Sequence, residues 1–263
     1  MLVTTEGIVL KQRKIANNRR MITVFTKDYG KISAGTSINE KSRNKSALAI
    51  RPFAYADYDI YKSRESFSIN SAQVKKSFYS IGEDLDRFLV ASRFIEFLDN
   101  ILEEEKPKSK LFDMTLSFLE SLTRTDGNYE TLLLAFIVKT FRPQGVMPEL
   151  KACVNCGKPA SEIAGNKFTS GKAAEQTYMF SVSSGGIICE DCANIEKSEG
   201  NSLIYRPSFD IIKVLQYFIN QPLEKFERIK LKPEVSAEMK NIIGAYTDYY
   251  MGVNVLKDET IWR

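Results

Sequence analysis

Histidine is absent from all 263 residues. That removes the commonest general base, and with it every Ser–His or Cys–His nucleophile pair. No Gly-x-Ser-x-Gly elbow is present. The nearest approach to a phosphate loop is the run from Gly165 to Ala173. It spaces its two glycines one residue too far apart and carries Ala173 where Ser or Thr would bind magnesium. No apolar run approaches a membrane span. Met1 to Gly7 lacks a basic region followed by an apolar stretch, so no secretory signal is expected. A reducing, cytoplasmic setting follows, and there the scarce cysteines suit metal better than disulfides.

Acidic residues are also scarce in the first part of the chain. Residues 1–80 carry 15 Lys or Arg against 6 Asp or Glu, whereas the remainder carries 22 against 27. A basic N-terminal region on a mildly acidic body predicts a polyanionic partner at that end. The plainer alternative is a solvated lysine-rich surface. Hydrophobic residues make up 43% of the chain, enough to fold into two or three modest domains.

The first 80 residues read as β structure. Thr4 to Lys11, Arg20 to Thr26 and Lys31 to Ser37 are three short strands, the last entered through a turn at Lys27–Gly30. Arg51 to Tyr61 reads as a longer aromatic-rich strand, and Ser66 to Asn70 alternates polar and apolar at period two. Ile38 to Ser46 reads as a polar loop. Five short strands suit a small closed barrel, most simply an OB-fold, although periodicity alone leaves an SH3-like barrel open.

The pattern turns helical at Gly82. Leu85, Phe88, Leu89, Ser92, Ile95, Leu98 and Leu102 share one face, read as a core stripe or, alternatively, as part of a groove for a partner peptide. Leu111 to Leu122, Tyr129 to Phe141, Ser208 to Asn220 and Pro233 to Met251 repeat the helical pattern, with breaks at Asp126-Gly127, Gly145 and Gly252. The expected architecture is multidomain α+β: an OB-fold barrel over residues 1–80, an all-α domain over residues 81–149 and 198–263, and an inserted cysteine module over residues 150–197.

The four cysteines form two hooks, Cys153-Val-Asn-Cys156 and Cys189-Glu-Asp-Cys192, separated by 32 residues. Four thiolates are the ligand count of a closed tetrahedral zinc site, one with no open position for water or substrate. Gly157 can take the left-handed conformation after the first hook, whereas the second has Ala193 at that place. Gln176 to Val182 reads as a strand and Ser184 to Gly186 as a turn, which puts a β-ribbon between the hooks. One structural zinc ion is the expectation, with a redox dithiol or buried free thiols as alternatives. A zinc deaminase is excluded by Ala152 in place of proline, by the filled ligand set and by the position of Glu190 directly beside Cys189.

Candidate nucleic-acid contacts are Lys11, Arg13, Lys14, Arg19 and Arg20 around the first interstrand loop, and Lys41, Arg43, Lys45 and Arg51 in and after the polar segment. Clusters of this kind give salt-sensitive, sequence-tolerant binding. Tyr29, Phe53, Tyr55 and Tyr58 are either stacking platforms for unpaired bases or barrel core, and core is the simpler assignment.

Thr5-Glu6-Gly7-Ile8-Val9-Leu10, then Ile22 to Lys31, then Arg51-Pro52-Phe53, and finally a cysteine-hook module inside a helical domain resemble, in that order, the bacterial recombination-repair mediator RecO family. The resemblance covers essentially the whole chain. It implies a non-enzymatic, nucleoid-associated protein that binds single- and double-stranded DNA and anneals complementary strands. It also implies a RecR partner, help in loading RecA onto strands coated with single-stranded DNA-binding protein, and contact with that protein's acidic C-terminal tail. A zinc-ribbon transcription or assembly factor working through protein contacts is the alternative from a different class.

Overall fold

The structure, a computed structural model, describes residues 1–15, 19–39, 45–64, 66–163, 178–200 and 203–257, without the Lys45 side chain. The chain divides into two compact units, Met1–Leu132 and Leu133–Arg263.

In the first unit, β1 (Leu2–Lys14), β2 (Arg20–Thr26), β3 (Gly30–Thr36), β4 (Tyr55–Lys62) and β5 (Phe67–Lys76) close a barrel in the order β1-β2-β3-β5-β4. β4 returns to β1, and only the β3–β5 pair is parallel. This is the OB-fold arrangement, and a short helix α1 (Lys45–Ala49) sits between β3 and β4. Strand character follows from alternation. In β4 Ala56, Tyr58 and Ile60 point inward, while Tyr55, Asp57 and Asp59 are less buried. Val9, Ile22, Val24, Ile32 and Ala34 fill the interior with them. The Tyr58 hydroxyl donates to the Ala49 carbonyl at 2.5 Å and so pins α1 to the barrel. Gly7 is required by packing: a Cβ there would stand 2.5 Å from Val24 Cγ1 and 3.0 Å from the Tyr58 ring.

Arg51 to Tyr61 is not one strand. Pro52 has no N–H to offer a ladder, and Phe53 takes φ 70°, so Arg51–Phe53 form a turn and β4 begins at Tyr55. The turn is fixed to β1 by reciprocal bonds, Phe53 N to Val9 O and Val9 N to Ala54 O, both 3.0 Å. The polar loop expected over Ile38–Ser46 gives way to α1 at Lys45, where Ala47, Leu48 and Ala49 supply helix formers.

A 3-10 turn (Tyr79–Glu83) leads into α2 (Leu85–Ile101), whose N-cap Asp84 accepts from the Arg87 amide at 2.7 Å. α3 (Ser109–Arg124) packs against it, with Phe94 and Phe118 stacked at 3.9 Å. The expected core stripe of α2 is corrected by its burial. Val90, Ala91, Phe94, Ile95, Phe97, Leu98 and Ile101 are buried, but Leu85 and Phe88 are 70% and 41% exposed. α4 (Tyr129–Gln144) crosses from the first unit into the second.

The second unit adds α5 (Ala160–Ile163), the β6–β7 hairpin (Met179–Ser181, Gly186–Ile188), α6 (Glu190–Ser198) and β8 (Ile204–Tyr205), which pairs with β6. α7 (Ile211–Asn220), a 3-10 turn (Leu223–Arg228) and α8 (Pro233–Met251) follow. α7 starts three residues later than Ser208 because Asp210 caps it, accepting from the Lys213 amide at 3.1 Å, while Ser208 is held by Glu238. α8 opens on Pro233 at its first turn and stops at Gly252 with φ 66°. Among the described residues no helix is long and apolar enough to cross a membrane.

Candidate metal centre and nucleic-acid interface

Two loops of different construction carry the cysteines. In the first hook the chain folds back on itself. Gly157 N donates to Cys153 O at 2.9 Å, Cys153 N donates to Lys158 O at 2.8 Å, and Gly157 takes φ 74°. The second hook is the beginning of α6, with Cys189 at its N-cap and Cys192 in its first turn. A helical turn sets that sulfur spacing by itself, so Ala193 serves where the first hook needs glycine. The β6–β7 hairpin, as expected of a ribbon, spans the two hooks. Val154 N donates to Ile187 O at 3.0 Å and Cys189 N donates to Cys153 Sγ at 3.4 Å. The discarded phosphate-loop candidate, Gly165–Ala173, and the first residues of the expected strand, Gln176 and Thr177, lie outside the described residues.

All four sulfurs fall within 4.8 Å of one another, and Cys156 Sγ is 3.7 Å from Cys189 Sγ. That is too long for a disulfide, which needs about 2.05 Å. It matches a tetrahedron of zinc–sulfur bonds about 2.3 Å long, whose edges are about 3.8 Å. Burial disfavours the Cys153 thiolate, but the amides of Cys156, Cys189 and Asn155 outweigh it and pull this thiol down to about 6. Burial pushes the Cys189 and Cys192 thiols up. Four soft donors in a closed shell can hold a metal ion, with no side left open for a reactant.

A buried carboxylate braces the centre. Glu196, 8% exposed on α6, accepts from Asn155 Nδ2 of the first hook at 2.7 Å, Ser184 Oγ at 2.6 Å and Ser181 Oγ at 2.9 Å. One side chain thus ties the first hook, the hairpin and the helix of the second hook together. The module is also seated on α8: Phe180 lies 5.8 Å from the Tyr246 ring, and the Tyr250 hydroxyl donates to Ser183 O at 3.2 Å.

The basic candidates fall into three groups. Lys11, Arg13, Lys14, Arg19 and Arg20 come together at the β1–β2 end, where Lys14 lies directly across from Arg20 in the ladder. Lys11 is occupied, bonded to Asp99 at 2.6 Å. Arg13, Lys14 and Arg19 make no ion pair among the described residues, and all three are exposed. Arg51 is set apart on the α1–β4 turn, half buried, with Nε lacking an acceptor among the described residues. Lys45 opens α1, whereas Lys41 and Arg43 lie outside the described residues.

Of the aromatic candidates, Tyr58 is fully buried core and Phe53 is 9% exposed. Tyr55 is committed to Glu6, donating to its Oε1 at 2.7 Å. Tyr29 packs on the barrel core. Exposed rings of the first unit include Tyr61 on β4 at 56%, and Tyr79 and Phe88 beside the barrel at 67% and 41%, and none of the three is among the stacking candidates legible in the sequence. Their signal there is faint. Phe88 fits a helical core stripe, and Tyr79 stands in a connector.

The barrel, the helical body and the thiol quartet define a class: a mixed α+β protein in which an OB-fold with a basic end is joined to a helical part that carries four cysteines placed to hold a metal ion. Two family models match the chain, the recombination protein O N-terminal model over residues 1–78 and the recombination protein O C-terminal model over residues 82–259. The chain belongs to the recombination protein O (RecO) family. It is 30% identical over 242 residues to the DNA repair protein RecO of Caldanaerobacter subterraneus subsp. tengcongensis, covering 92% of this chain and 90% of that one. It is 27% identical over 246 residues to the DNA repair protein RecO of Alkaliphilus metalliredigens, covering 94% and 92%. The protein of that name in Bacillus subtilis is 28% identical over 255 residues, covering 96% and 91%. Membership of this family supports a role in DNA repair by recombination.

Proposed function

We infer that the protein is a recombination mediator that binds single- and double-stranded DNA through the β1–β2 end of its barrel and anneals complementary strands. The observation that carries this reading is the set of exposed cations Arg13, Lys14 and Arg19 on one hairpin, which make no ion pair among the described residues. Two strands repel each other through their phosphates, and cations directed at the backbone lower that repulsion while leaving bases free to pair. Annealing in this way needs no general acid or base, in keeping with a chain without histidine. Residues 1–80 then serve as the strand-binding domain, residues 81–149 and 198–263 as its helical body, and residues 150–197 as a stabilising insertion.

Zinc fits the thiol quartet, with Cys153, Cys156, Cys189 and Cys192 as its ligands. Bound there, it would supply cross-linking and no chemistry. Family membership supports the rest: a RecR partner, assistance to RecA on strands coated by single-stranded DNA-binding protein, capture of that protein's acidic tail, and a place at the nucleoid.

The test is annealing of complementary oligonucleotides, bare and coated. Acceleration of both is expected, and charge reversal at Arg19, Arg20, Lys41, Arg43 and Lys45 should slow it and flatten its salt dependence. A factor acting only through proteins would leave annealing at its spontaneous rate, and that outcome would discard this reading.

A further inference from the structure

The geometry points to a receptor for one unpaired nucleobase on the flank of the barrel, with the adjoining phosphate running toward Arg13. A cavity of about 430 Å³ opens between the α1–β4 turn and the start of α2, walled by Leu48, Pro52, Phe53, Phe78, Tyr79 and Phe88. Phe53 meets Phe88 edge-on, ring centroids 6.2 Å apart and planes at 90°, while the exposed rings of Tyr79 and Phe88 offer faces at the mouth. A second cavity, of about 570 Å³, shares Pro52 and is lined by Lys11, Gln12 and Arg13. No carboxylate lines either one.

One residue lining each cavity carries a buried donor without an acceptor among the described residues. Arg51 Nε and Gln12 Nε2 are buried and meet no acceptor among the described residues. Leaving buried donors unpaired is costly, so a fitting ligand brings acceptors to them. A base joins a flat π face to carbonyl and ring-nitrogen acceptors at its edge, whereas an aliphatic side chain from a peptide would fill the first cavity and leave Arg51 unpaired. Both volumes lie in the range of sites for small planar ligands, about 300–1,000 Å³. With Lys11 held by Asp99, Arg13 is the lining cation that remains for a phosphate.

This inference rests on the proposed DNA binding and adds to it a preference for unpaired strands. The experiment titrates the full chain into a thymine oligomer carrying one 2-aminopurine, whose fluorescence falls on stacking, and into a duplex of equal length. Phe88→Ala and Tyr79→Ala replace exposed rings, and circular dichroism confirms that each variant is folded. Either change should weaken single-strand binding about tenfold, the scale of removing one base stack. Each should also relieve the quenching, with duplex affinity and salt slope unchanged. Arg13→Gln should flatten the salt slope on both ligands.

If the wild type binds strands but both ring variants keep its affinity and quenching, the base receptor is overturned and the proposed function stands. If the wild type binds neither ligand, the proposed function fails and this inference with it. If the ring variants lose an acidic, aromatic-ended peptide while keeping the oligomer, the cavity belongs to a peptide and the inference is overturned.

Discussion

The thiol module and the basic barrel end are opposite solutions to holding a ligand. The module is closed: its four donors converge within 4.8 Å, and Glu196 braces the loops that carry them. The barrel end is open. Its exposed cations Arg13, Lys14 and Arg19 stand on a hairpin, and residues with an unpaired buried donor, Gln12 there and Arg51 on the neighbouring turn, line cavities. A small ion asks for converging atoms at fixed distances, whereas a polyanion asks for charge spread along its length. A metal held in the first arrangement would convert binding into stability, and a polyanion on the second would leave binding free energy for exchange of partners.

The sharpest way to break this contrast is Cys153→Ser. Removing one thiolate should cost on the order of 5 kcal/mol of stability, since much of the metal-binding free energy is folding free energy. Thermal melting and metal content measured on one sample check it, and strand affinity of the surviving folded fraction should change far less. An equal drop in affinity would mean that the module shapes the DNA surface.

Glu196→Ala is the next largest. It leaves the amide of Asn155 and the hydroxyls of Ser181 and Ser184 short of an acceptor, at a cost of about 1–3 kcal/mol by chemical denaturation. Zinc release to a competing chelator should also become faster.

Reversing Arg13, Lys14 and Arg19 to Glu should leave melting nearly unchanged and weaken single-strand binding. The slope of log K against log salt should fall by about 0.7 for each phosphate no longer neutralised, about 2 for all three. Fluorescence anisotropy at several salt concentrations reads this directly. An unaltered slope would remove the hairpin from the interface.

The smallest effect is expected at Glu6 on β1. Its carboxyl is lowered to about 2, chiefly by the hydrogen bond from Lys75, with Tyr55 and Lys27 adding to it. A carboxyl depressed in the folded state contributes stability above its unfolded value near 4.5, and loses it as pH falls toward 2. Glu6→Gln should therefore be less stable than the parent at neutral pH and converge with it across that window, which acid titration of the melting temperature would show.

Much of this is legible in the sequence, unevenly so. The hooks are plain because metal chemistry fixes both residue type and spacing. The barrel is legible from alternation, as in Ala56, Tyr58 and Ile60, and α8 from its Pro233 start and Gly252 stop. The start of β4 is only half legible: Pro52 argues against a strand over Arg51–Phe53, but the positive φ at Phe53 and the two bonds to β1 are tertiary facts. The α2 stripe misleads because a helical repeat shows which residues share a face, not how far along the helix a partner covers it. For the same reason Phe88 reads as core. The orphan donors leave no trace in the sequence, since an unpaired atom is defined by everything around it.

Barrel closure carries a consequence for how the chain comes off the ribosome. β1 pairs with β2 through a nearby hairpin, but its other edge pairs with β4, from Leu2 opposite Tyr61 to Ile8 opposite Tyr55. The last seam joins β3 to β5 across Ala34–Thr36 and Phe67–Ile69. Until β4 has emerged, at Lys62, β1 therefore presents an unsatisfied strand edge, and β3 keeps one until β5 follows, from Phe67 to Lys76. Such an edge is a template for pairing with other nascent chains. The barrel's assembly thus depends on non-local pairings that arrive late, and pairings of that kind slow folding.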